Sequence, residues 1–498
     1  MAIGFSSIPA DMRVPLFYAE MDNSAANSAS SAMRRLIVAQ VNDDADNPSI
    51  GKLVLVSSLA QARDVGGQGS MLASMYETWR KTDPVGEVWC LPLQIDTGVA
   101  AKATVTITGT ATEAGLLNLY VGGVRVQSIV VSAASPAVAA AALAVKINAT
   151  PDLPVTAVAA EGVVTLTCKW GGESGNDIGI VLNRLGKSNG EMTPAGLTVV
   201  ATPMTAGVGT PDQIDAVAAL GDEPFEFICV PWSDTTTLNA WQETMDDNAG
   251  RWSWAKQLFG HVYGAKRGTL GTLVAAGQVR NDQHMTIQAM ELGVPQPFWL
   301  QAAGLAARTA VFISADASRP TQSGAMAGLE PAAASERFTL PERKSLLAYG
   351  IATAYYEGGY VRIQRSITTY QKNAYGQADN SYLDSETMHQ SAFIIRRMQS
   401  VITSKYGRHK LADDGTQFGP GQPIVTPSTI RGELIAEYGK LETEGHVENA
   451  ELFAQHLVVE RDPNDSGRVN VLFPPDYING LRIFAMLNQF RNQYPAAA

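Results

Sequence analysis

The chain has 498 residues, with 37 Lys plus Arg against 48 Asp plus Glu and a net charge of −11. At roughly 100 to 200 residues per domain, this length predicts about three domains, each with a core of its own. The acidic balance argues against a broad surface for nucleic acid or an anionic membrane.

Neither a signal peptide nor a membrane-spanning segment is expected, because the N-terminus lacks a basic and then apolar leader and no uninterrupted apolar run reaches 18 residues. The cysteines Cys90, Cys168 and Cys229 lie far apart in apolar, strand-like runs. We therefore predict buried, reduced thiols rather than disulfides.

Residues 1–32 are predicted to form an N-terminal arm and linker. A short strand-like run is followed by a Ser, Ala and Asn stretch without apolar periodicity. Pro15 within the run permits only an edge or terminal strand, so this strand is expected to add to the outside of a sheet. Its apolar residues are Val14, Leu16, Phe17 and Tyr18.

Residues 33–96 and 207–335 show alternating strand and helix patterns, which predict one discontinuous α/β domain. His261 and His284 have no Cys, His or acidic partner at ligand spacing, and no phosphate-binding loop occurs. The acidic loop after Asn42 matches a calcium loop only loosely. The sequence thus predicts no catalytic residues, no metal site and no cofactor.

Residues 97–206 are rich in Thr, Val, Ala and Gly and poor in charge, which predicts an inserted β-rich domain that can be excised. Two tight hairpin turns are predicted at Gly122-Gly123 and Glu161-Gly162, and a helix at Ser135. A sugar-binding role is an alternative, but no aromatic cluster or carboxylate set supports it.

Residues 336–498 are predicted to form a C-terminal α+β domain. A helix capped by Thr339, with Glu342 in a capping box, is expected to continue to residue 356 and end at Gly358-Gly359. A strand follows at 360–370. Two further helices are expected at 384–406 and 427–442, the first with one apolar stripe: Met388, Ala392, Ile395, Met398, Ile402 and Tyr406.

The end of the chain predicts a β-hairpin and a departing third strand. The hairpin strands flank a turn at 462–467, and Pro474-Pro475 then stops the pairing because proline donates no N–H. A two-stranded hairpin needs further strands, from this chain or from other copies. The strand residues are Leu457, Val459, Val469, Val471 and Phe473 in the hairpin, and Leu481, Ile483, Phe484 and Leu487 after it.

Arg396, Arg397 and Lys405 lie off the apolar stripe of the helix at 384–406, and Lys405, Arg408, His409 and Lys410 cluster at its C-terminal end. This cluster is interpreted either as a solvated helix end, where cations complement the helix dipole, or as a docking patch for an acidic protein. The cation group of this region comprises Arg396, Arg397, Lys405, Arg408 and Lys410.

Several stretches, in their order and spacing, resemble the tail sheath proteins of contractile phages, most closely the Mu-like group. They include SSIPADMRVPLFYAEMDNS, FTLPERKSLLAYGIATA, GGYVRIQRSITTYQ and HLVVERDPNDSGRVNVLFPPDYINGLRIFAMLNQF. The resemblance spans nearly the whole chain, although the β-rich segment is its least transferable part.

The resemblance implies a structural virion protein that stacks as hexameric rings around a tail tube and contracts to drive the tube through the host envelope. Strands from neighbouring copies would complete the hairpin, and the cation group would be a candidate tube-facing surface. The implied partners are other copies, the tube protein, and the baseplate and terminator proteins, with no nucleic acid and no membrane insertion. Assembly is expected in the host cytoplasm.

Alternatives remain at this point. Within the same class, the chain could serve a tail-derived bacteriocin or a defective prophage particle. From other classes, an enzyme on the α/β domain lacks a convergent catalytic set, and a cell-surface or glycan-binding adhesin lacks a signal sequence.

Overall fold

The computed structural model describes residues 33–43, 47–95 and 97–493. The chain forms two compact units. Among the described residues, unit 1 comprises Met33 and residues 393–478, and unit 2 comprises residues 34–392 and 479–493. The strand-like run of Val14, Leu16, Phe17 and Tyr18 lies outside the described residues.

The helices of the described residues are α1 Leu59–Gly66, α2 Met71–Thr82, α3 Pro136–Asn148, α4 Gln213–Ala218, α5 Thr235–Met245, α6 Leu270–Gln278, α7 Phe298–Ala315, α8 Leu340–Ala348, α9 Ser385–Tyr406, α10 Pro427–Glu444 and α11 Ala450–His456. The strands are β1 Arg35–Gln40, β2 Val54–Val56, β3 Val88–Leu93, β4 Ala100–Gly109, β5 Gly115–Val121, β6 Val124–Val130, β7 Val155–Ala160, β8 Val163–Gly171, β9 Ile180–Leu182, β10 Leu197–Ala201, β11 Phe227–Cys229, β12 His261–Arg267, β13 Met285–Met290, β14 Ala325–Met326, β15 Thr353–Glu357, β16 Tyr360–Arg365, β17 Lys410–Leu411, β18 Ile424–Val425, β19 Val458–Arg461 and β20 Val469–Leu472.

Unit 2 is built on a six-stranded sheet in the order β13-β12-β11-β1-β3-β2. All pairs in it are parallel except β2 with β3. Its central strand β1, RLIVAQ, is buried along its whole length, as expected for a parallel strand covered on both faces. The segments before and after the β-rich segment thus contribute to one sheet.

Helix α7 was not predicted from the sequence. Its 18 residues are long and apolar enough to cross a membrane by length and composition, but 67% of them are buried inside the protein. The helix packs on α2 and on strands β11, β12 and β13. It is therefore a core helix of unit 2, and its small residues allow close approach to the sheet.

The β-rich segment forms two small antiparallel sheets, in the orders β10-β4-β8-β7 and β6-β5-β9. Both predicted hairpin turns are present. Gly122 and Gly123 have φ of 57° and 88°, and Glu161 and Gly162 have φ of 48° and 91°. Positive φ at both central residues is what a two-residue hairpin loop requires. Helix α3 begins as predicted, with the Ser135 side chain accepting a hydrogen bond from Val138 N.

The crevice of the main sheet is filled by the β-rich segment. The strand order reverses beside β1, and in open α/β sheets ligands bind at the carboxyl ends of the strands at such a point. Here Gln40 Nε2, at the end of β1, donates to Gly171 O at 2.8 Å, and Ser174 Oγ donates to Gln40 Oε1 at 2.6 Å. Trp170 packs edge-to-face on Trp299 of α7, with ring centroids 5.7 Å apart.

A second attachment joins Asp177 to Arg267 at the end of β12. Arg267 Nε lies 2.6 Å from Asp177 Oδ1 and Arg267 Nη2 lies 3.1 Å from Asp177 Oδ2. Asp177 Oδ2 also accepts from Phe298 N, at the start of α7. The β-rich segment and the main sheet belong to one compact unit, an interface that composition did not reveal. That the host domains stay folded when residues 97–206 are excised stays a prediction.

The prediction of a helix over residues 340–356 is wrong for the second half of that range. The Thr339 and Glu342 capping box is present, but α8 ends at Ala348, and Gly350 has a φ of 72°. Residues 353–357 form β15, which pairs antiparallel with β16 across Gly358-Gly359. Thr and Tyr favour a strand, and a Gly-Gly pair favours a tight hairpin turn over a helix stop.

The buried stripe of α9 differs by one residue from the prediction. Ile394 is fully buried, whereas Ile395 is 40% exposed. Cys90, Cys168 and Cys229 are free and buried, as predicted, and burial raises the pKa of the Cys168 thiol to about 12.

We expect Asp177→Asn to lower the free energy of unfolding by about 2 kcal/mol, because it leaves the part-buried Arg267 without its carboxylate partner. Chemical denaturation followed by tryptophan fluorescence measures this loss. Lys187→Gln, in an exposed turn of the same β-rich segment, is the control and should stay near wild type. Equal stability of all three proteins would show that this attachment is dispensable.

Candidate functional site

The hairpin β19–β20 is held on an aromatic core in unit 1. Tyr438 of α10 stacks on Phe453 of α11, with centroids 3.7 Å apart, and Phe473 meets Phe453 edge-on at 5.2 Å. Leu457, just before β19, is 3% exposed and belongs to the same cluster. Helices α10 and α11 therefore fix the base of the hairpin.

One face of the hairpin packs on this core and the other is exposed. The register pairs Val459 with Val471 and Val458 with Leu472. Val459, Val469 and Phe473 are partly buried against the core cluster, and Val471 at the margin is 42% exposed. These residues share the predicted apolar face.

The outward face contains two apolar residues that the sequence analysis missed. Val458 is 46% exposed and Leu472 is 63% exposed, and they are direct cross-strand partners. The signal was available, because alternation places them on the face opposite Val459 and Val471. In the part of the chain that the structure describes, β19 and β20 pair only with each other, so both outer edges of the hairpin are without a strand.

The turn of the hairpin is organised by Asp462. Its Oδ1 accepts from Asn464 N at 2.8 Å and its Oδ2 accepts from Asn470 Nδ2 at 2.9 Å. These hydrogen bonds, that from Asn470 foremost, lower the pKa of Asp462. The turn is therefore held by the ionised carboxylate.

After Pro474-Pro475 the chain turns away from the hairpin, as predicted. Asp476 N donates to Tyr438 Oη at 2.9 Å, and Tyr477 forms an isolated antiparallel bridge with Val447. These contacts lie on the helical side of unit 1 and prevent the following residues from adding to β20.

The last described residues form an exposed apolar segment. Leu481 is 70% exposed, Ile483 79%, Phe484 80% and Leu487 89%, and Met486 and Phe490 are 74% and 79% exposed. No strand is assigned over this segment. Contiguous exposed apolar side chains of this size mark an interaction site.

Two of the predicted cations are paired inside unit 1. Arg397 Nε donates to Glu437 Oε1 at 2.6 Å and Arg397 Nη2 reaches Glu444 Oε1 at 3.3 Å, while Lys405 pairs with Glu433. Arg396 is half-buried, and Arg408 and Lys410 are exposed. The cation group is therefore divided: one part joins α9 to α10, and Arg408 and Lys410 remain at the surface.

The histidines of unit 2 have ordinary structural partners. His261 is fully buried, its Nε2 lies 2.8 Å from Thr286 Oγ1, and burial lowers its pKa. His284 Nε2 lies 2.8 Å from Asp247 Oδ1. Over residues 33–43, 47–95 and 97–493, no group of three or more His, Cys, Asp or Glu is placed to hold a metal ion.

Two family models match this chain: the phage tail sheath protein central domain over residues 206–369 and the phage tail sheath C-terminal domain over residues 377–491. The Mu-like prophage FluMu tail sheath protein of Haemophilus influenzae is 39% identical over 493 residues, covering 98% of this chain and all of that protein. The chain belongs to the phage tail sheath family. It is thus a structural protein of a tail sheath and not an enzyme.

A solved sheath structure shares the fold of this chain. The helical sheath of the anti-feeding prophage in its contracted state matches with a TM-score of 0.50 at 11% identity, covering 97% of this chain and 100% of that one. The sheath tail protein of Desulfitobacterium hafniense matches with a TM-score of 0.49 at 14% identity, over 94% of this chain and 100% of that one.

We expect Glu437→Gln to destabilise this sheath chain by about 2 kcal/mol at pH 7, because the almost fully buried carboxylate pairs with both Arg397 and Lys440. Burial raises the pKa of Glu437, but hydrogen bonds from Lys440 and Arg397 outweigh burial and hold the pKa below 4.5. A lowered pKa in the folded state stabilises above the pKa of the unfolded state.

The difference in melting temperature between wild type and Glu437→Gln should therefore be full at pH 7 and shrink as the pH falls below 4.5. Glu451→Gln, at an exposed site on α11, is the matched control. A constant difference down to the lowest pH would contradict the assignment to the Glu437 charge.

Proposed function

We propose that this chain polymerises into a contractile sheath by strand exchange between copies. The supporting observation is that the described residues include both a hairpin with no further strand on its edges and an exposed apolar segment long enough to form a strand. No strand of the described residues pairs with this segment, so the hairpin of another copy is its natural acceptor. Adding a strand to a sheet edge satisfies main-chain N–H and C=O groups that otherwise face water.

Two opposing energy terms of this exchange are of similar size. Burying an exposed Leu, Ile or Phe side chain contributes about 2 kcal/mol, whereas ordering one backbone residue costs about 1 to 2 kcal/mol. Burial of Leu481, Ile483, Phe484, Met486, Leu487 and Phe490 would therefore offset a large part of the cost of ordering the segment. The N-terminal residues Val14, Leu16, Phe17 and Tyr18 would supply a second donated strand.

The proposed assembly is a stack of hexameric rings around the tail tube. A strand given by one copy and received by the next is a head-to-tail contact, and such contacts close into rings or continue as helices. The contracted sheath of the anti-feeding prophage, which shares the fold, is described as helical. The surface proposed to face the tube is the cation group, Arg396, Arg397, Lys405, Arg408 and Lys410. The stack would end at baseplate and terminator proteins.

Contraction is proposed to be a rearrangement of the domains that drives the tube through the host envelope while the exchanged strands stay paired. Its energy would be stored at assembly in the host cytoplasm. The proposed domains are the arm 1–32, the α/β domain 33–96 plus 207–335, the β-rich domain 97–206 and the C-terminal domain 336–498. Kinship with a Mu-like prophage sheath fits a phage tail, a defective prophage particle or a tail-derived bacteriocin.

We expect the double variant Phe484→Asp and Leu487→Asp to remain folded but to form no tubes, because two carboxylates would have to be buried at the receiving hairpin. Negative-stain electron microscopy and sedimentation measure assembly, and circular dichroism measures folding. Val85→Asp, at a side chain that is 91% exposed elsewhere in unit 2, is the control and should assemble. Wild-type tubes from the double variant would refute strand donation by this segment.

A further inference from the structure

The exposed segment, which belongs to unit 2, has two parts. Residues 479–482, here called the arm root, contact the rest of unit 2 through Gln322 and the start of α9. Residues 483–493, here called the terminal arm, carry large apolar side chains that are at least 74% exposed. Leu481 O accepts from Gln322 Nε2 at 2.8 Å. A Cβ on Gly480 would lie 2.5 Å from Pro320 Cγ, so only glycine lets the chain pass this close.

Arg482, in the arm root, lies in a network of alternating charges at the start of α9. Its Nη2 lies 3.5 Å from Asp384 Oδ1 and 3.2 Å from Glu386 Oε2. Arg365 forms a two-point pair with the same Asp384, at 2.8 and 2.9 Å. The side chains of Arg482 and Asp384 are each 17% exposed, so solvent screens this pair only in part.

The buried carboxylate of Glu386 depends on Arg482 for its countercharge. Its Oε1 already accepts from Thr321 N at 2.8 Å and from Thr321 Oγ1 at 2.6 Å. Its Oε2 has no hydrogen bond and faces the Arg482 guanidinium. The Glu386 side chain is 5% exposed, so loss of Arg482 would leave a buried carboxylate oxygen without its countercharge.

We propose that Arg482 is the positioning residue that sets the direction in which the terminal arm leaves its own copy, and thereby aims it at the receiving hairpin. This inference rests on the proposed strand exchange. A donor strand whose root is fixed already points in the direction needed for binding before it meets the other copy. The entropic cost of orienting the strand therefore does not reduce the free energy of association.

The arrangement also explains why a charged residue interrupts the apolar run. Arg482 is flanked by Leu481 and Ile483, both largely exposed, yet it is itself mostly buried. An apolar residue in its place would neither neutralise Asp384 and Glu386 nor tie the arm root to α9. The charged position therefore separates an anchoring section from a donated section of one continuous strand-like sequence.

The test compares Arg482→Gln with Arg482→Lys, and with Arg319→Gln, an exposed cation beside Pro320, as the matched control. We expect Arg482→Gln to slow tube formation roughly 10-fold, as the competent fraction of arms falls. Lysine should restore part of the rate, since an ammonium keeps the charge but not the two-point geometry. Arg319→Gln should assemble at the wild-type rate.

Spin labels at positions 490 and 279, in unassembled protein carrying Phe484→Asp and Leu487→Asp, measure the direction of the arm. Arg482→Gln should broaden the distance distribution relative to the same background with Arg482 intact. A purely structural role would leave this distribution unchanged. If Arg482→Gln does not fold, Gly480→Ala shifts the arm root without removing a charge and should broaden the distribution likewise.

The outcomes separate the two proposals. If Phe484→Asp and Leu487→Asp abolish tubes while Arg482→Gln assembles at the wild-type rate with an unchanged distribution, strand exchange stands and the role of Arg482 is overturned. If the aspartate variant assembles normally, strand exchange falls, and the role of Arg482 falls with it.

Discussion

The free edges of the β19–β20 hairpin are the constraint on which the rest of unit 1 depends. Among residues 33–43, 47–95 and 97–493 no third strand pairs with the hairpin, so each side keeps a row of main-chain donors and acceptors, and so short a hairpin is marginal in water by itself. The stacked rings of Tyr438 and Phe453, with Phe473 against them, hold the base of the hairpin in a fixed orientation. Unit 1 thus presents an incomplete sheet on a rigid support.

Unit 2 shows how an α/β sheet of the ligand-binding type becomes a structural element. The place at the end of β1 where such sheets receive a ligand is occupied by the chain itself, through Gly171 and Ser174 on Gln40. The ion pair of Asp177 with Arg267 adds a second attachment at the end of β12. With its own backbone in that crevice, the sheet holds the β-rich segment firmly in place.

Charge is used in two different ways along α9. At its first turn, Asp384 and Glu386 hold Arg482 from the end of the chain. Further along, Arg397 and Lys405 pair with carboxylates of α10, which leaves Arg408 and Lys410 as exposed cations beyond the end of the helix. One helix therefore organises the arm root at one end and carries the surface cations at the other.

The sequence by itself determined the features that depend on local chemistry. Alternating apolar residues identified the β19–β20 hairpin, and Thr339 with Glu342 identified a helix start. Gly122-Gly123 identified a tight turn, because glycine tolerates the positive φ that such a turn requires. Each follows from backbone geometry within a few residues, so no distant contact was needed. The family resemblance also rested on the order of such local stretches.

Only the tertiary structure decided the features that depend on distant partners. The packing that buries α7, the docking of Gly171 on Gln40 and the pairing of Arg397 with Glu437 join residues far apart in the chain. Arg482 had no local signal either. Its role arises because folding brings it to two carboxylates far away in the sequence, one of which, Glu386, is separated from it by 96 positions.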